Sequence, residues 1–140
     1  MEKINFQNGI TPLNDTNLNQ IQDNVENAIE EKHIYSTEEQ VIGTWINGKP
    51  LYRKVIEGIS INDNTATIIP TNIANAKIVS INGVIKANTD SDFYAVPYIV
   101  EEKYLYVNTC DNGTNLRIRT NDEWEGFSLT VILEYTKTTD

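Results

Sequence analysis

The sequence has too few cysteines and histidines for the sites that these residues usually build. Cys110 is the only cysteine and His33 the only histidine among the 140 residues. A single cysteine cannot form an internal disulfide or a cysteine-based zinc site, so we expect Cys110 to be a buried free thiol in a strand. His33 lies at a predicted helix end, where a cation interacts favourably with the helix dipole, and this explains it more simply than nucleophilic catalysis.

Basic residues are also scarce, and the chain has no long apolar segment. Eleven lysines and arginines stand against 20 acidic residues, which gives a net charge of -9. The scattered positive charges provide no footprint for phosphate backbones, and the acidic balance disfavours an anionic membrane surface. No segment approaches the roughly 20 apolar residues of a membrane helix, and residues 1–6 lack a signal peptide's apolar region. We therefore expect a soluble protein made in a cytoplasm, with neither nucleic acid nor membrane as a partner.

The motifs of most enzyme classes are missing as well. The sequence contains no Gly-rich phosphate loop and no metal-ligand spacing of His, Cys or carboxylates. Glycoside hydrolysis needs only two carboxylates, but the available acids cluster in predicted loops and at strand ends, where solvated acids are ordinary. These acids are Asp90, Asp92, Glu101, Glu102, Asp111, Asp122, Glu123 and Glu125. We predict that the chain is not an enzyme and that it binds no cofactor or metal.

What the sequence has in abundance is isoleucine, asparagine and threonine, with 19, 18 and 15 residues. Ile and Thr favour strands, and Asn favours turns because it tolerates the left-handed conformation. Asn-Gly, the strongest short hairpin signal, stands between predicted strands at Asn47-Gly48, Asn82-Gly83 and Asn112-Gly113, where a type I′ turn needs positive φ twice. Three such corners predict an antiparallel sheet architecture.

Alternation of apolar and polar residues indicates strands with one covered face. In residues 127–135 the apolar residues occupy every second position, except that Ile132 lies on the otherwise polar face. In residues 116–120 the arginines are predicted to point outward. Tyr104 and Tyr106 share an outward face. The predicted strands are residues 40–46, 50–56, 59–61, 65–69, 77–81, 84–87, 93–100, 104–108, 116–120 and 127–135. Short strands at this spacing predict a mainly β fold with an antiparallel β-sandwich or jelly-roll-like head.

The only convincing helix precedes this β region. Its apolar residues follow a 3, 4, 3 spacing and form a narrow stripe, typical of the a and d positions of a coiled coil. They are Leu18, Ile21, Val25 and Ala28. Two alternatives are open, because the stripe either meets the same stripe on other chains or docks on the chain's own sheet. We favour self-association, since a docked helix usually has a wider apolar face and an isolated helix this short is marginal in water.

The sequence pattern changes after His33 from helical spacing to strand-forming segments, and this change divides the chain into two parts. Residues 1–34 are predicted to be the N-terminal segment with a helical, coiled-coil-like stem for self-association, whose heptad pattern is too short to fix the number of chains, and residues 35–140 are predicted to be the β-sandwich head.

The aromatic residues are candidates for the core or for a binding surface. Trp45 alternates within a strand, which favours core packing. Trp124 lies in the acidic loop 121–126, where packing on the core or on a neighbouring subunit is the simpler role and stacking on a sugar ring is the alternative. For Tyr104 and Tyr106 we favour a subunit interface over a ligand platform. The candidate ligand-binding residues are Trp124, Asp122, Glu123 and Arg119.

Three segments resemble known virion proteins. Residues 4–19, INFQNGITPLNDTNLN, resemble the N-terminal segments of tail-associated proteins from phages and prophages of Gram-positive bacteria. Residues 35–54, YSTEEQVIGTWINGKPLYRK, and the ending LEYTKTTD, residues 133–140, are similar to the terminal head of phage tail-fibre and receptor-binding proteins.

This resemblance implies a homotrimer at the tail tip or baseplate of a virion. Such a protein contacts other phage tail proteins and binds host cell-wall or capsular polysaccharide without a cofactor. No binding residue carries over, because receptor contacts in these families lie in variable loops and interfaces. The alternative is a purely structural virion protein without a ligand, such as a fibre connector or decoration. A phage-borne glycan hydrolase is the third hypothesis.

Overall fold

The computed structural model describes residues 18–24, 34–89 and 91–140. The chain forms two compact units, Met1–Ile34 and Tyr35–Asp140. Within the described parts of both units, no helix is long and apolar enough to span a bilayer.

The first unit contains a short helix over residues 18–24. The side chains of Leu18 and Ile21 lie on this helix and are 46% and 40% exposed, so they are available to a partner. Val25 and Ala28, which complete the predicted stripe, lie outside the described residues, as does His33. The helix is confirmed over these residues, and the coiled coil stays a prediction.

The second unit has nine strands in its described residues, and neighbouring strands run antiparallel. They are β1 (Gln40–Thr44), β2 (Pro50–Ser60), β3 (Ala66–Pro70), β4 (Ala76–Lys86), β5 (Phe93–Ala95), β6 (Tyr98–Val100), β7 (Lys103–Cys110), β8 (Asn115–Thr120) and β9 (Ser128–Lys137). One sheet has five strands in the order β1-β2-β9-β4-β5, and the other has four in the order β3-β8-β7-β6. The predicted mainly β, antiparallel architecture is confirmed.

The hydrophobic core takes residues from both sheets, as in a β-sandwich. The five-stranded sheet supplies Ile59, Ile85, Leu129, Val131, Leu133 and Tyr135, and the four-stranded sheet supplies Leu105, Leu116 and Ile118. Strand β9 lies in the middle of its sheet, and the alternation predicted for it is confirmed because these four inner residues are at most 1% exposed. Ile132 falls on the outer face, opposite Val55 of β2.

The Asn47-Gly48 corner joins β1 to β2, as predicted, but with a different turn. The amide of Gly48 donates to the Trp45 carbonyl at 2.9 Å, and the amide of Trp45 donates to the Lys49 carbonyl at 2.8 Å. Of the two corner residues only Gly48 has a positive φ, +82°. The loop therefore has three residues and matches a type I turn followed by a glycine bulge, whereas a type I′ turn needs positive φ at both positions.

The Asn112-Gly113 corner joins β7 to β8, and here the type I′ turn lies one residue earlier than the glycine suggests. Asp111 and Asn112 have φ values of 53° and 57°, and the Gly113 amide donates to the Cys110 carbonyl at 3.1 Å. The hairpin prediction is confirmed, with a loop of residues 111–114.

The third corner, Asn82-Gly83, is not a turn, and that prediction is wrong. Both residues lie inside β4, which pairs with β9 along the length of the strand from Ala76 to Lys86. Gly83 is needed for space, because a Cβ there would lie 3.1 Å from Cγ2 of Val96. Glycine within a strand often marks such a close approach of another chain segment.

Of two single-residue predictions, the one for Cys110 is met in part and the one for Trp45 is not met. Cys110 is a free thiol in a strand, at the end of β7, but it is only half-buried. Trp45 is half-buried and lies outside the core cluster, so its predicted core role is not what the structure shows.

Candidate functional site

An open pocket of about 290 Å³ lies where β3, β7 and β8 run side by side. We call it the Arg119 pocket. It is lined by Asn64, Thr65, Ala66, Tyr104, Tyr106, Arg119 and Thr120. All these residues belong to the second unit.

The register of the four-stranded sheet places the central residues of this pocket in one row. Arg119 of β8 lies opposite Tyr106 of β7 on one side and opposite Ala66 of β3 on the other. Paired residues share a face of an antiparallel sheet, and their neighbours Leu105 and Ile118 point into the core with 0% and 2% exposure. The row therefore faces outward, and the short Ala66 side chain leaves space beside the arginine.

Two tyrosine rings form the aromatic wall of the pocket. Tyr104 and Tyr106 alternate on β7, and their ring centroids lie 5.7 Å apart with an angle of 30° between the planes. Each side chain is 37% exposed. Neither phenol donates or accepts a hydrogen bond with another residue of the described chain. Each ring therefore offers both an apolar surface and an unused hydroxyl group.

Arg119 supplies the positive charge of the pocket. It is exposed, as the alternation of β8 predicts, and its guanidinium group has no ion pair or hydrogen bond with the part of the chain that the structure describes. The other outward arginine of β8, Arg117, is half-buried and has an acidic neighbour. A hydrogen bond from Asn115, together with the charge of Arg117, lowers the pKa of Asp111 below its usual range.

Trp124 belongs to the core, as the favoured interpretation of its loop predicted, and this burial does not support its candidate role in ligand binding. It is 1% exposed, and its ring meets the rings of Tyr98 and Phe127 edge-on, with centroids 5.5 and 5.4 Å away. Its Nε1 donates to Oδ1 of Asn121 at 3.2 Å, and Nζ of Lys103 lies 4.5 Å from its centroid. The indole therefore has no open face for a sugar.

Asp122 and Glu123 line a separate open pocket of about 260 Å³ together with Glu101, Glu102 and Lys103. The Lys103 ammonium donates to the Glu123 carbonyl at 2.9 Å, which connects the start of β7 to the loop before β9. Across residues 18–24, 34–89 and 91–140, no group of three or more His, Cys, Asp or Glu is arranged to hold a metal ion.

The four predicted ligand-binding residues thus do not form one site. Arg119 lines the Arg119 pocket, and Trp124 lies in the core. Asp122 and Glu123 line the separate pocket that also contains Glu101, Glu102 and Lys103. One contact connects the two pockets, since the Asn64 side-chain amide donates to the Asp122 carboxylate. Asp122 is therefore held at the rim of the Arg119 pocket by a residue that lines it.

The grouping of Arg119 with the two tyrosines was not predicted from the sequence. The signal was the hairpin at Asn112-Gly113, because a four-residue loop pairs Cys110 with Asn115 and the antiparallel register then places Tyr106 opposite Arg119. No comparable signal marks Ala66, which belongs to a strand that is distant in the sequence.

A larger open pocket of about 530 Å³ lies beside β2 and the end of β3. Its lining includes Glu38, Lys54 and Glu57, and no aromatic side chain. With charges of both signs and no ring to pack against a sugar, it is a weaker glycan site than the Arg119 pocket.

A separate cluster of titratable groups lies where the C-terminal strand meets β1 and β2. The Tyr135 phenol donates to Glu39 at 2.5 Å, and Lys137 contacts the same carboxylate at 2.6 Å. Burial, reinforced by that hydrogen bond, raises the pKa of Tyr135. The hydrogen bond from the Tyr52 phenol to Asp140 raises the pKa of Tyr52 to about 12. Both phenols are therefore neutral donors at neutral pH, which suits a structural role.

The chain was compared with known proteins by family, by sequence and by structure. No protein-family model, no curated protein and no solved structure matches it. The candidate site therefore rests on the geometry of the Arg119 pocket.

Proposed function

We propose that this chain is a homotrimeric phage tail-fibre or baseplate-tip protein that binds host cell-surface polysaccharide through the Arg119 pocket. The observation that carries the binding proposal is the exposed Tyr104–Tyr106 pair beside Arg119, on the outer face of a rigid sheet. The virion location is supported by the resemblance of residues 4–19, 35–54 and 133–140.

The chemistry of the pocket suits a sugar. The C–H face of a pyranose is apolar and packs against an aromatic ring, while its hydroxyl groups need hydrogen-bond partners. The two phenols, the Thr65 hydroxyl and the Asn64 carbonyl oxygen supply such partners around the rings. Because the pocket is open, it also leaves room for bridging water between the sugar and the protein.

A single shallow site of this kind binds weakly, and trimerisation compensates for that. Leu18 and Ile21 present exposed apolar side chains that suit a self-association seam. Three tethered heads raise the effective concentration of sites on a repetitive polysaccharide and increase avidity by orders of magnitude.

Two measurements test this function. Light scattering should give a molar mass three times the 15.9 kDa of one chain. Binding to whole cells and to a glycan array should fall about tenfold or more in the variant Tyr106→Ser, which removes the ring that packs on the sugar. The matched control is Phe93→Ser, because Phe93 is an exposed aromatic residue on the other sheet, and it should bind like the unaltered protein.

Other outcomes would reject the proposal. A protein that remains a single chain at high concentration, or that binds no cell and no glycan, is not a trimeric adhesin. Release of sugar from the polysaccharide over time would instead support the hydrolase hypothesis.

A second candidate function is a structural virion part without a ligand. It is favoured by Ile99 and Ile68, which are 67% and 52% exposed and lie on the same outer face, Ile99 opposite Tyr104 and Ile68 opposite Arg117. Apolar residues of this size at the surface are typical of protein interfaces. In that case Tyr106→Ser would change the assembly state, and the unaltered protein would not bind cells.

A further inference from the structure

Within the described residues, Arg119 has no hydrogen bond, ion pair or ring contact for its guanidinium group, in contrast to several other basic side chains of the second unit. Four others have partners in the same unit: Lys49 donates to main-chain carbonyls, Arg53 pairs with Glu134 and stacks on Tyr35, Lys103 donates to the Glu123 carbonyl and lies over Trp124, and Lys137 pairs with Glu39 and lies over Tyr52. In the described chain, Arg119 has neither an acid nor an aromatic ring against its guanidinium group.

The residues around Arg119 do not neutralise its charge. Across the sheet it faces Ala66 and Tyr106, and along β8 the next outward residue is Arg117, a second cation. The nearest acid in the sequence, Asp122, lies at the rim of the pocket, where it accepts a hydrogen bond from Asn64, and within the described residues it forms no ion pair with Arg119. The pocket therefore contains an exposed guanidinium group next to an aromatic wall.

We propose that the sugar bound in the Arg119 pocket carries an oxyanion, which is either a carboxylate or a phosphate group. This inference rests on the proposed glycan-binding function and names its ligand class. The planar guanidinium group presents paired N–H donors that match the two oxygens of a carboxylate or phosphate. The neighbouring ring of Tyr106 then packs on the sugar that carries the anion.

The overall charge of the chain makes this local cation decisive. With a net charge of -9, the protein as a whole repels an anionic polymer. Exposed charges further apart than about 8 Å are largely screened at physiological ionic strength. A direct contact with Arg119 lies within that distance, so this side chain supplies a local attraction that the net charge of the protein does not cancel.

The test uses the intact protein on a glycan array with matched oligosaccharides that bear a uronic acid, bear a phosphate or are neutral. A second arm uses a bacterial polysaccharide that the protein binds, before and after carboxyl reduction and before and after removal of phosphate. The first treatment reports a carboxylate and the second a phosphate, so the two sources of the anion are distinguished.

The unaltered protein should bind the acidic glycan. This binding should be lost after carboxyl reduction if the anion is a carboxylate, or after removal of phosphate if it is a phosphate group. Arg119→Gln should weaken binding of the acidic glycan about 10- to 100-fold, as expected for losing a charge-assisted contact. Arg119→Lys should keep part of the affinity, because it retains the charge without the paired donors. Arg117→Gln, on the same strand and face, should change affinity less than about threefold.

Three results would overturn the inference. If the unaltered protein binds neutral and acidic glycans equally, the ligand needs no anion, and the proposed glycan-binding function stays intact. Equal loss of neutral and acidic binding in Arg119→Gln and Arg119→Lys assigns Arg119 a role in shaping the pocket only. If the unaltered trimer binds no glycan at all, the proposed function fails and the inference fails with it.

Discussion

The phenol of Tyr135 donates a 2.5 Å hydrogen bond to the carboxylate of Glu39, a residue 96 positions away in the chain. Tyr135 lies on the central strand β9 with 0% exposure, and Glu39 directly precedes the edge strand β1. A buried hydroxyl requires a partner, so this contact attaches the start of the head to its most buried strand.

Removing this hydroxyl should destabilise the head measurably. Tyr135→Phe keeps the ring stacked on Tyr52, 5.6 Å away, and removes only the hydrogen bond. Glu39 keeps Lys137 as a partner, so we expect a loss of about 1 kcal/mol in the free energy of unfolding. Urea denaturation followed by circular dichroism measures it. Tyr52→Phe, which removes a more exposed bond, should cost less, and the reverse order would contradict the assignment.

The raised pKa values of the two tyrosines predict a loss of stability at alkaline pH. The unfolded pKa is 10.0, and the folded pKa of Tyr52 is about 12, with that of Tyr135 also raised. Since the neutral phenols are favoured in the folded state, their contribution is complete below pH 10 and disappears as the pH rises through the folded pKa values. The free energy of unfolding measured from pH 8 to 12 should fall above pH 10, and the fall should be shallower in the double variant Tyr52→Phe/Tyr135→Phe. Identical slopes would show that other groups cause it.

Truncation of Trp124 should affect stability and leave binding unchanged. Because the indole is buried against Tyr98 and Phe127, Trp124→Ala should lower the free energy of unfolding by about 3–5 kcal/mol. Trp124→Phe should cost less and should retain unaltered glycan affinity in the folded protein. Reduced affinity in a stably folded Trp124→Phe variant would return this residue to the binding site.

Two glycines in strands should respond differently to alanine. At Gly83 a Cβ would lie 3.1 Å from Val96 Cγ2 and 3.3 Å from the Thr130 carbonyl oxygen, and at Gly43 it would meet nothing within 4 Å. Gly83→Ala should therefore destabilise the head by about 1–3 kcal/mol, as overpacking does, while Gly43→Ala should stay within about 0.5 kcal/mol of the unaltered protein. Thermal unfolding compares the two variants directly. Equal effects would mean that β4 and the Val96 segment are not packed as described.

A charge placed on the stem should dissociate the proposed trimer. Ile21→Asp introduces a carboxylate into the apolar stripe, where three copies would face one another without partners. Light scattering should show the molar mass falling from three chains to one at micromolar concentration. Asn19→Asp adds the same charge beside the stripe on an exposed position and should leave the mass unchanged. If neither variant changes the mass of a trimeric protein, the head alone assembles it.

The parts of the fold that could be predicted were those set by short-range patterns. Alternation in residues 116–120 and 127–135 identified the inward and outward faces. A period of two predicts a strand, and the apolar residues of that strand then mark its buried face. The hairpins at Gly48 and Gly113 were predictable because their loops need a residue that tolerates positive φ.

The parts that could not be predicted depend on contacts between distant segments. Residues 93–100 look like one strand, but they form β5 and β6 in different sheets, with Pro97 between them lacking a donor for either ladder. Asn82-Gly83 looks like a turn, but pairing with β9 holds both residues in a strand. Core packing was the favoured interpretation for Trp124, but its acidic neighbours in sequence gave no sign that the rings of Tyr98 and Phe127 cover it.

If the Arg119 pocket binds a glycan as proposed, Ala66 has a consequence for how the ligand preference of this protein can evolve. It belongs to β3, an edge strand, and its side chain points outward beside Arg119 without contributing to the core. Mutations at this position change the depth and polarity of the pocket at almost no thermodynamic cost to the scaffold. Selection on the bound molecule and selection on folding therefore act on different residues here, so new specificities are reachable by single substitutions.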